Sequence, residues 1–281
     1  ESTGMTALVK ELKPECFADL IPLVALYRPG PLGSGMVADF IDGRHQRKEV
    51  SYLHPLLEEI LKDTFGVILY QEQVMQIVRD LAGYSLGRAD LVRRAMGKKK
   101  ADEMAKYNKE FSERAVGLGY KYENASTLFD LIEKFAGYGF NKSHAAAYAL
   151  VAYHTAWLKA HYPAEFMAAV LSSEMQNTDS IVFLIDDCRN NKLDVLPPSV
   201  NMSLYHFHAS DERTIVYGLG AIKGVGEQAM QSVIDSRIQD GPYKDLFDFC
   251  HRVDLKKINK RTLEALIRAG AMDCLGIERA D

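Results

Sequence analysis

Gln71-Glu72-Gln73-Val74-Met75-Gln76-Ile77-Val78-Arg79-Asp80-Leu81-Ala82-Gly83 spaces Val74, Ile77, Val78 and Leu81 so that a 3.6-residue turn gathers them on one stripe. Gly83 follows the stripe and can turn left-handed without a Cβ penalty, which predicts a helix that stops there. The same periodicity predicts a second helix from Arg88 to about Met96. A third is expected around Leu128, Phe129, Leu131, Ile132 and Phe135, capped by Ser126 or Thr127 and ended by Gly137. Ser143 to His161 is alanine-rich and apolar on most faces, including Tyr148, Val151, Trp157 and Leu158, which predicts a long helix buried among others. Pro163 closes it and opens the next, which runs to about Met175. A further helix, capped by Asn177 or Thr178, is expected through Cys188.

The character then changes. Leu196-Pro197-Pro198 breaks the helical run, and short extended pieces are expected at Tyr205 to His208 and Thr214 to Tyr217. The expected architecture is mainly α, with a multi-helix domain over residues 1–196 and a small α domain with short extended segments over residues 197–281. No solenoid period or low-complexity tract is visible.

A chain of 281 residues that is 47% hydrophobic and 26% charged can bury a real core in one large domain or two unequal ones. No run approaches the apolar length of a bilayer crossing and no leader pattern opens the sequence, so it reads as cytosolic, with no membrane partner. The first residue is Glu1, in a polar stretch, which reads as a piece of a longer chain. Cys16, Cys188, Cys250 and Cys274 are scattered without a CxxC pair, so they read as reduced thiols rather than zinc ligands or disulfides. A net charge of -4 does not by itself favour a polyanionic partner, so the distribution of charge has to decide.

Four constellations carry chemistry. Arg93-Arg94-Ala95-Met96-Gly97-Lys98-Lys99-Lys100 gathers five cations with no carboxylate among them. On a helical wheel Gly97 falls between Arg93 and Arg94, with Leu91, Val92 and Ala95 toward the other side, so two guanidinium forks would flank a residue that lets phosphate approach. The competing reading is a solvated basic helix end complementing the macrodipole. Gly137-Tyr138-Gly139-Phe140-Asn141-Lys142-Ser143-His144 feeds the alanine-rich helix, whose first N–H groups, with Lys142, Ser143 and His144, would suit a triphosphate. It lacks the Walker glycines, and an ordinary cap by Asn141 or Ser143 explains it equally.

Tyr27-Arg28-Pro29-Gly30-Pro31 is a stiff turn that either aims Arg28 or is a plain surface loop. Leu219-Gly220-Ala221-Ile222-Lys223-Gly224-Val225-Gly226-Glu227, followed by Ala229, Met230, Val233 and Ile234, resembles a helix-hairpin-helix motif. Its glycine pair would present N–H groups to one phosphate without reading bases, through Lys223, Gly224, Val225 and Gly226. A structural turn is the alternative. Lys256 to Ala271, with Asn259, Lys260 and Arg261, would be a degenerate second copy without the glycines. No set of carboxylates suits a metal pair: Asp186, Asp187, Asp39 and Asp42 read as surface acids, and neither HExxH nor GxSxG is present.

Tyr27 to Gly35, Gly66-Val67-Ile68-Leu69-Tyr70-Gln71-Glu72-Gln73, Arg93 to Lys100, Phe135 to Tyr148 and Tyr217 to Glu227, in that order, resemble the alpha subunits of bacterial DNA polymerase III, the C-family polymerases. The resemblance runs through essentially the whole chain. It implies a helical fingers domain followed by a helix-hairpin-helix region that contacts duplex DNA, in a nucleotidyltransferase active in chromosome replication. It implies that Arg93, Arg94, Arg28, Asn141, Lys142, Ser143 and His144 face the incoming deoxynucleoside triphosphate, and that Lys98, Lys99 and Lys100 touch nucleic acid. By the same likeness the palm aspartates that hold Mg²⁺ precede this segment. The sliding clamp and other replicase subunits would bind regions outside it, so the segment alone is expected to be inactive. The rival readings are a sequence-independent DNA-binding module of a repair or recombination protein, and a helical scaffold for protein partners.

Overall fold

Amphipathic periodicity dominates the fold, as the apolar stripe of residues 74–81 anticipates. The computed structural model describes residues 2–98, 101–136, 139–254 and 256–276, with side chains at all but 97, 98, 101, 102, 135 and 136. It divides into two units, Glu1–Tyr153 and His154–Asp281. The expected boundary near Pro197 falls inside the second.

The first unit carries α1 (Thr3–Leu12), α2 (Leu20–Leu26), α3 (Pro29–Ser34), α4 (Met36–Arg44), α5 (Pro55–Leu61), α6 (Gln71–Ala82), α7 (Leu86–Lys98), α8 (Ala101–Gly117) and α9 (Tyr122–Ala136). It also holds the first part of α10 (Lys142–His161). The second unit continues with α11 (Pro163–Ser173), α12 (Thr178–Asn190), β1 (Asp194–Leu196), β2 (His208–Ala209) and β3 (Thr214–Val216), then α13 (Glu227–Asp240), α14 (Leu246–Arg252) and α15 (Lys260–Arg268).

Two cores build the first unit. One joins α5 to α9 around Ile77, Val78, Phe111, Phe129 and Ile132, with the Phe111 and Phe129 rings 5.4 Å apart. The other gathers Leu12, Leu26, Phe40 and Ala145. Between them runs the extended segment of residues 67–70, whose alternation sends Ile68 into the first core while Val67 and Leu69 enter the second. Residues before α6 therefore have little freedom to shift. In the second unit α11 and α12 pack beside a small sheet of order β1-β3-β2, with β1 parallel and β2 antiparallel to β3. A separate core around Met230, Val233, Phe249 and Leu266 holds α13, α14 and α15 together.

Gly83 ends α6 at φ 63°, as the sequence predicts, and Asn177 caps α12 by accepting the Ser180 N–H. Four expectations are corrected. Ser126 and Thr127 do not cap α9. The helix begins at Tyr122, because Ala125, one turn before Phe129, belongs to the buried stripe. The Pro29 turn is the short helix α3, since a proline at N1 supplies helical φ and its missing N–H costs nothing there. A third short strand, β1, forms just before Pro197, where the chain must be extended.

The fourth correction concerns α10, which is not buried among other helices. Only Ala145 and Ala149 are fully buried on it, while Tyr148, Val151 and Trp157 are 57%, 59% and 41% exposed. Its fully buried positions carry only small side chains, and the bulky ones are partly covered by rings close by in the chain, Tyr148 by His144 at 4.5 Å and Trp157 by His161 at 4.5 Å.

Candidate nucleotide and nucleic-acid interface

The site is built outward from three consecutive side chains at the start of α6. Gln73 is buried: its Oε1 accepts from the Leu69 and Tyr70 N–H groups at 2.9 Å each, and its Nε2 donates to Thr64 Oγ1 at 2.8 Å and the Ile60 carbonyl at 3.3 Å. All of its polar atoms are used inside, so the helix start is fixed. The burial that Gln73 shares with Tyr70 pushes the Tyr70 phenol up from its ordinary value.

Gln71 and Glu72 leave the same turn toward the segment before α10. A short parallel bridge forms there, with Gln71 N–H donating to the Phe140 carbonyl at 2.9 Å and Phe140 N–H to the Leu69 carbonyl at 3.1 Å. Gln71 Nε2 donates to the Gly139 carbonyl at 3.0 Å. Glu72 accepts the Lys142 N–H with both oxygens at 3.0 Å and the Asn141 amide at 2.9 Å. Asn141 in turn caps α10 by accepting the His144 N–H at 2.8 Å. Of the two caps considered, Asn141 is the one used, and a carboxylate already answers the positive end of this helix.

Arg93 reaches the same place from α7. Its Nη1 donates to Gln71 Oε1 at 2.9 Å, while Nε and Nη2 both meet Asp90 Oδ1, at 2.9 and 2.8 Å. Arg94 takes the other Asp90 oxygen at 2.8 Å. The hydrogen bond from Arg93, with the charges of both arginines, holds the Asp90 carboxyl below the usual carboxylate range. The run from Arg93 to Lys100 holds no carboxylate itself, but Asp90, three and four residues before the two arginines and one helical turn away, pairs with both. Val92 and Ala95 lie on the buried face of α7 as expected, joined by Met96, whereas Leu91 is 50% exposed.

Arg28 completes the cluster, with its Cζ 4.6 Å from the centre of the Phe140 ring. Lys142 Nζ lies 5.5 Å from the Tyr70 ring centre, and the His144 ring meets Phe140 edge-on at 5.3 Å. Ser143 is exposed in the first turn of α10. Six of the seven expected nucleotide-facing residues therefore gather around Gly139, Phe140 and Gln71, or beside them in the first turn of α10; Arg94 attaches through Asp90. Lys99 and Lys100, and the side chain of Lys98, lie outside the described residues. Gln71, Glu72, Asp90 and Phe140 were not assigned roles from sequence; Gln71, Glu72 and Phe140 fall in stretches that carry the family resemblance, and the spacing of Asp90 to the arginines was the local signal for it.

The glycine pair in the second unit forms a hairpin. Gly224 takes φ +90°, Val225 is buried, and Val225 N–H closes the turn on the Ile222 carbonyl at 3.1 Å. Gly226 then stands at the N-cap of α13 with no side chain to accept the first N–H groups, and Lys223 is exposed beside it. The region taken as a degenerate second copy contains α15, which Asn259 caps by accepting the Thr262 N–H at 2.9 Å.

Among the described residues no group of three or more His, Cys, Asp or Glu side chains converges as a metal site. Asp39 pairs with Lys48, Asp42 with Arg47, Asp186 with Arg189 and Asp187 with Lys159. No described helix is long and apolar enough to cross a membrane.

Comparison with known proteins places these features. Residues 1–119 match the bacterial DNA polymerase III alpha subunit finger domain, and residues 192–281 match a helix-hairpin-helix motif. The whole chain is 59% identical to 25% of the DNA polymerase III subunit alpha of Vibrio cholerae. It is 58% identical to 25% of the Escherichia coli subunit, and 98% of it is 61% identical to 24% of the Pseudomonas aeruginosa subunit. The chain thus spans about a quarter of the length of these relatives. Similarity of this extent, continuous through both units, sets aside the repair-module and scaffold readings, and the chain belongs to the family of bacterial DNA polymerase III alpha subunits.

Proposed function

We propose that this segment is the nucleotide-gripping and DNA-holding part of a replicative DNA-directed DNA polymerase, with Arg93, Arg94, Arg28, Asn141, Lys142, Ser143 and His144 facing the incoming deoxynucleoside triphosphate. One observation carries the reading: Arg93 of α7 and the segment leading into α10 meet through Gln71. Guanidinium forks and helix N–H groups aimed at one place suit a polyanion whose charge is redistributed during phosphoryl transfer.

Asp90 and Glu72 shape how that polyanion binds. Each holds a donor that a triphosphate would take, so binding is an exchange of anions at Arg93, Arg94 and the Lys142 N–H. A polyphosphate wins by charge and by offering several acceptors at once, while a singly charged ligand does not. Both ion pairs of Asp90 lie within α7, so the exchange frees the two arginines without requiring the helix to move.

The described acids do not fit a pair of catalytic metals, so Mg²⁺ in this reading is held by carboxylates elsewhere in the longer protein. There it would activate the primer hydroxyl and offset charge on the leaving pyrophosphate. Primer-template DNA is gripped by Lys98, Lys99 and Lys100 and by the Lys223–Gly226 hairpin. The sliding clamp and other replicase subunits attach outside this segment, in a cytoplasmic assembly.

In the full-length enzyme, Arg93→Ala is expected to raise the nucleotide KM or lower kcat strongly while primer-template affinity stays near the parent value. Unchanged steady-state kinetics would reject the assignment. The segment alone is expected to show no polymerase activity.

A further inference from the structure

The hairpin of residues 223–226 does not stand alone: a Cβ built on Gly224 would lie 3.8 Å from Nε of Arg261, an exposed side chain on α15. The start of α15 is fixed. Asn259 Oδ1 accepts both the N–H and the hydroxyl of Thr262, at 2.9 and 3.2 Å, and Thr262 is buried. Arg261 therefore leaves the first turn of α15 from a set position, beside Gly224, which has no side chain to block it.

Open clefts flank this meeting point. One, of about 360 Å³, is lined by Lys223, Arg261 and Arg268 with Glu264 as its single carboxylate. The other, of about 440 Å³, runs from Gly224 and Gly226 to Lys257 and Asn259, with Glu227 as its one carboxylate. Lys223, Lys257, Arg261 and Arg268 make no ion pair among the described residues, in contrast to Arg93 and Arg94, and Lys260 reaches Glu264 only at 3.9 Å. In a chain of net charge -4, cations are here concentrated and left unpaired.

We infer that Arg261 supplies the cation for the DNA phosphate received by the Gly224–Gly226 hairpin, so that one backbone-phosphate site is assembled from two elements, with Lys223 and Arg268 along the same cleft. The hairpin's N–H groups bring direction but no charge, whereas a guanidinium brings charge and a second pair of donors. Neither reads a base, so the site is indifferent to sequence. The inference rests on the hairpin being a DNA contact.

The test is a salt titration of duplex binding by the 281-residue chain, using a fluorescent duplex of arbitrary sequence and its scrambled counterpart, with circular dichroism confirming each variant's fold. Loss of one phosphate contact lowers the slope of log K against log salt by about 0.9, and at low salt weakens binding roughly tenfold. Arg261→Ala is expected to show both effects equally on the two duplexes, and Arg261→Lys to keep the slope. Arg189→Ala, which removes the same charge from α12, should leave the slope unchanged. If Gly224→Val abolishes binding while Arg261→Ala retains the parent slope, or if Arg189→Ala lowers the slope as much as Arg261→Ala does, this inference falls and the hairpin reading stands. Absence of salt-dependent binding by the parent chain would overturn both.

Discussion

Arg93 and Gln71 are joined by a 2.9 Å hydrogen bond from Nη1 to Oε1, and Gln71 Nε2 carries the contact on to the Gly139 carbonyl at 3.0 Å. The two ends of one amide thus serve opposite partners, which fixes its orientation: the oxygen can face only the guanidinium, the nitrogen only the carbonyl. Backbone bonds and Glu72 also tie the start of α6 to the residues ahead of α10, but the Gln71 side chain is what links the Arg93 guanidinium to them.

Gln71→Leu keeps the volume and removes both bonds. It is expected to cost about 1–3 kcal/mol in thermal or urea unfolding, one of the two bonds being charge-assisted. In the full-length enzyme it should raise the nucleotide KM about tenfold, the effect of a 1.4 kcal/mol loss, with Arg93 still present. An unaltered KM beside the expected stability loss would make Gln71 a purely structural tie.

Gln73 acts one step further back. Replacing it by leucine leaves the Leu69 and Tyr70 N–H groups without their acceptor inside the protein, and each such buried group costs about 1–3 kcal/mol. Gln73→Leu is therefore expected to destabilise the first unit by roughly 2–4 kcal/mol, beyond what an exposed glutamine would cost. Urea unfolding checks it, and a change under about 0.5 kcal/mol, the range of ordinary surface substitutions, would contradict the burial argument.

The helical character, the stop at Gly83 and the hairpin glycines were legible because each follows from local chemistry: periodicity, a left-handed turn, a missing side chain. The fate of α10 was not. A pattern reports how apolar a face is and not what covers it, and Tyr148, Val151 and Trp157 give the same signal whether buried or exposed. The site was half legible. Arg93 and the Asn141 turn could be read as anion-binding elements, but their meeting depends on Gln71, separated from Gly139 by 68 positions, and no local rule spans that distance. Asp90 was within reach, since i to i+3 and i+4 ion pairs follow from helix geometry alone.

Asp90 gives a pH-dependent prediction. Its folded pKa is depressed, so its pairing stabilises the protein above the ordinary carboxylate value of about 3.9 and is lost as pH falls through the lower folded value. Between neutrality and about pH 5 the group should contribute no slope to the thermal midpoint. Below about pH 4 the midpoint should fall, and Asp90→Asn should reduce that fall. At neutral pH the same substitution removes the charge that holds Arg93 and Arg94, so in the full-length enzyme the nucleotide KM is expected to drop several-fold. A KM that rises instead would mean that Asp90 orients the arginines for the nucleotide rather than competing with it.

The two hairpin glycines should respond differently to substitution. Gly224 sits at φ +90°, where a β-branched residue is strained by about 1–3 kcal/mol, so Gly224→Val should both destabilise the second unit and weaken duplex binding on every sequence. Gly226 has φ -92°, and a Cβ built there meets nothing within 4 Å, so Gly226→Ala should cost no more than the roughly 1 kcal/mol of a poorer N-cap for α13. Any loss of DNA affinity in Gly226→Ala then reports on the approach of phosphate to the first turn of α13 rather than on the fold. Gel-shift titration beside urea unfolding separates the two, and wild-type duplex affinity in Gly224→Val would count against the hairpin as a phosphate contact.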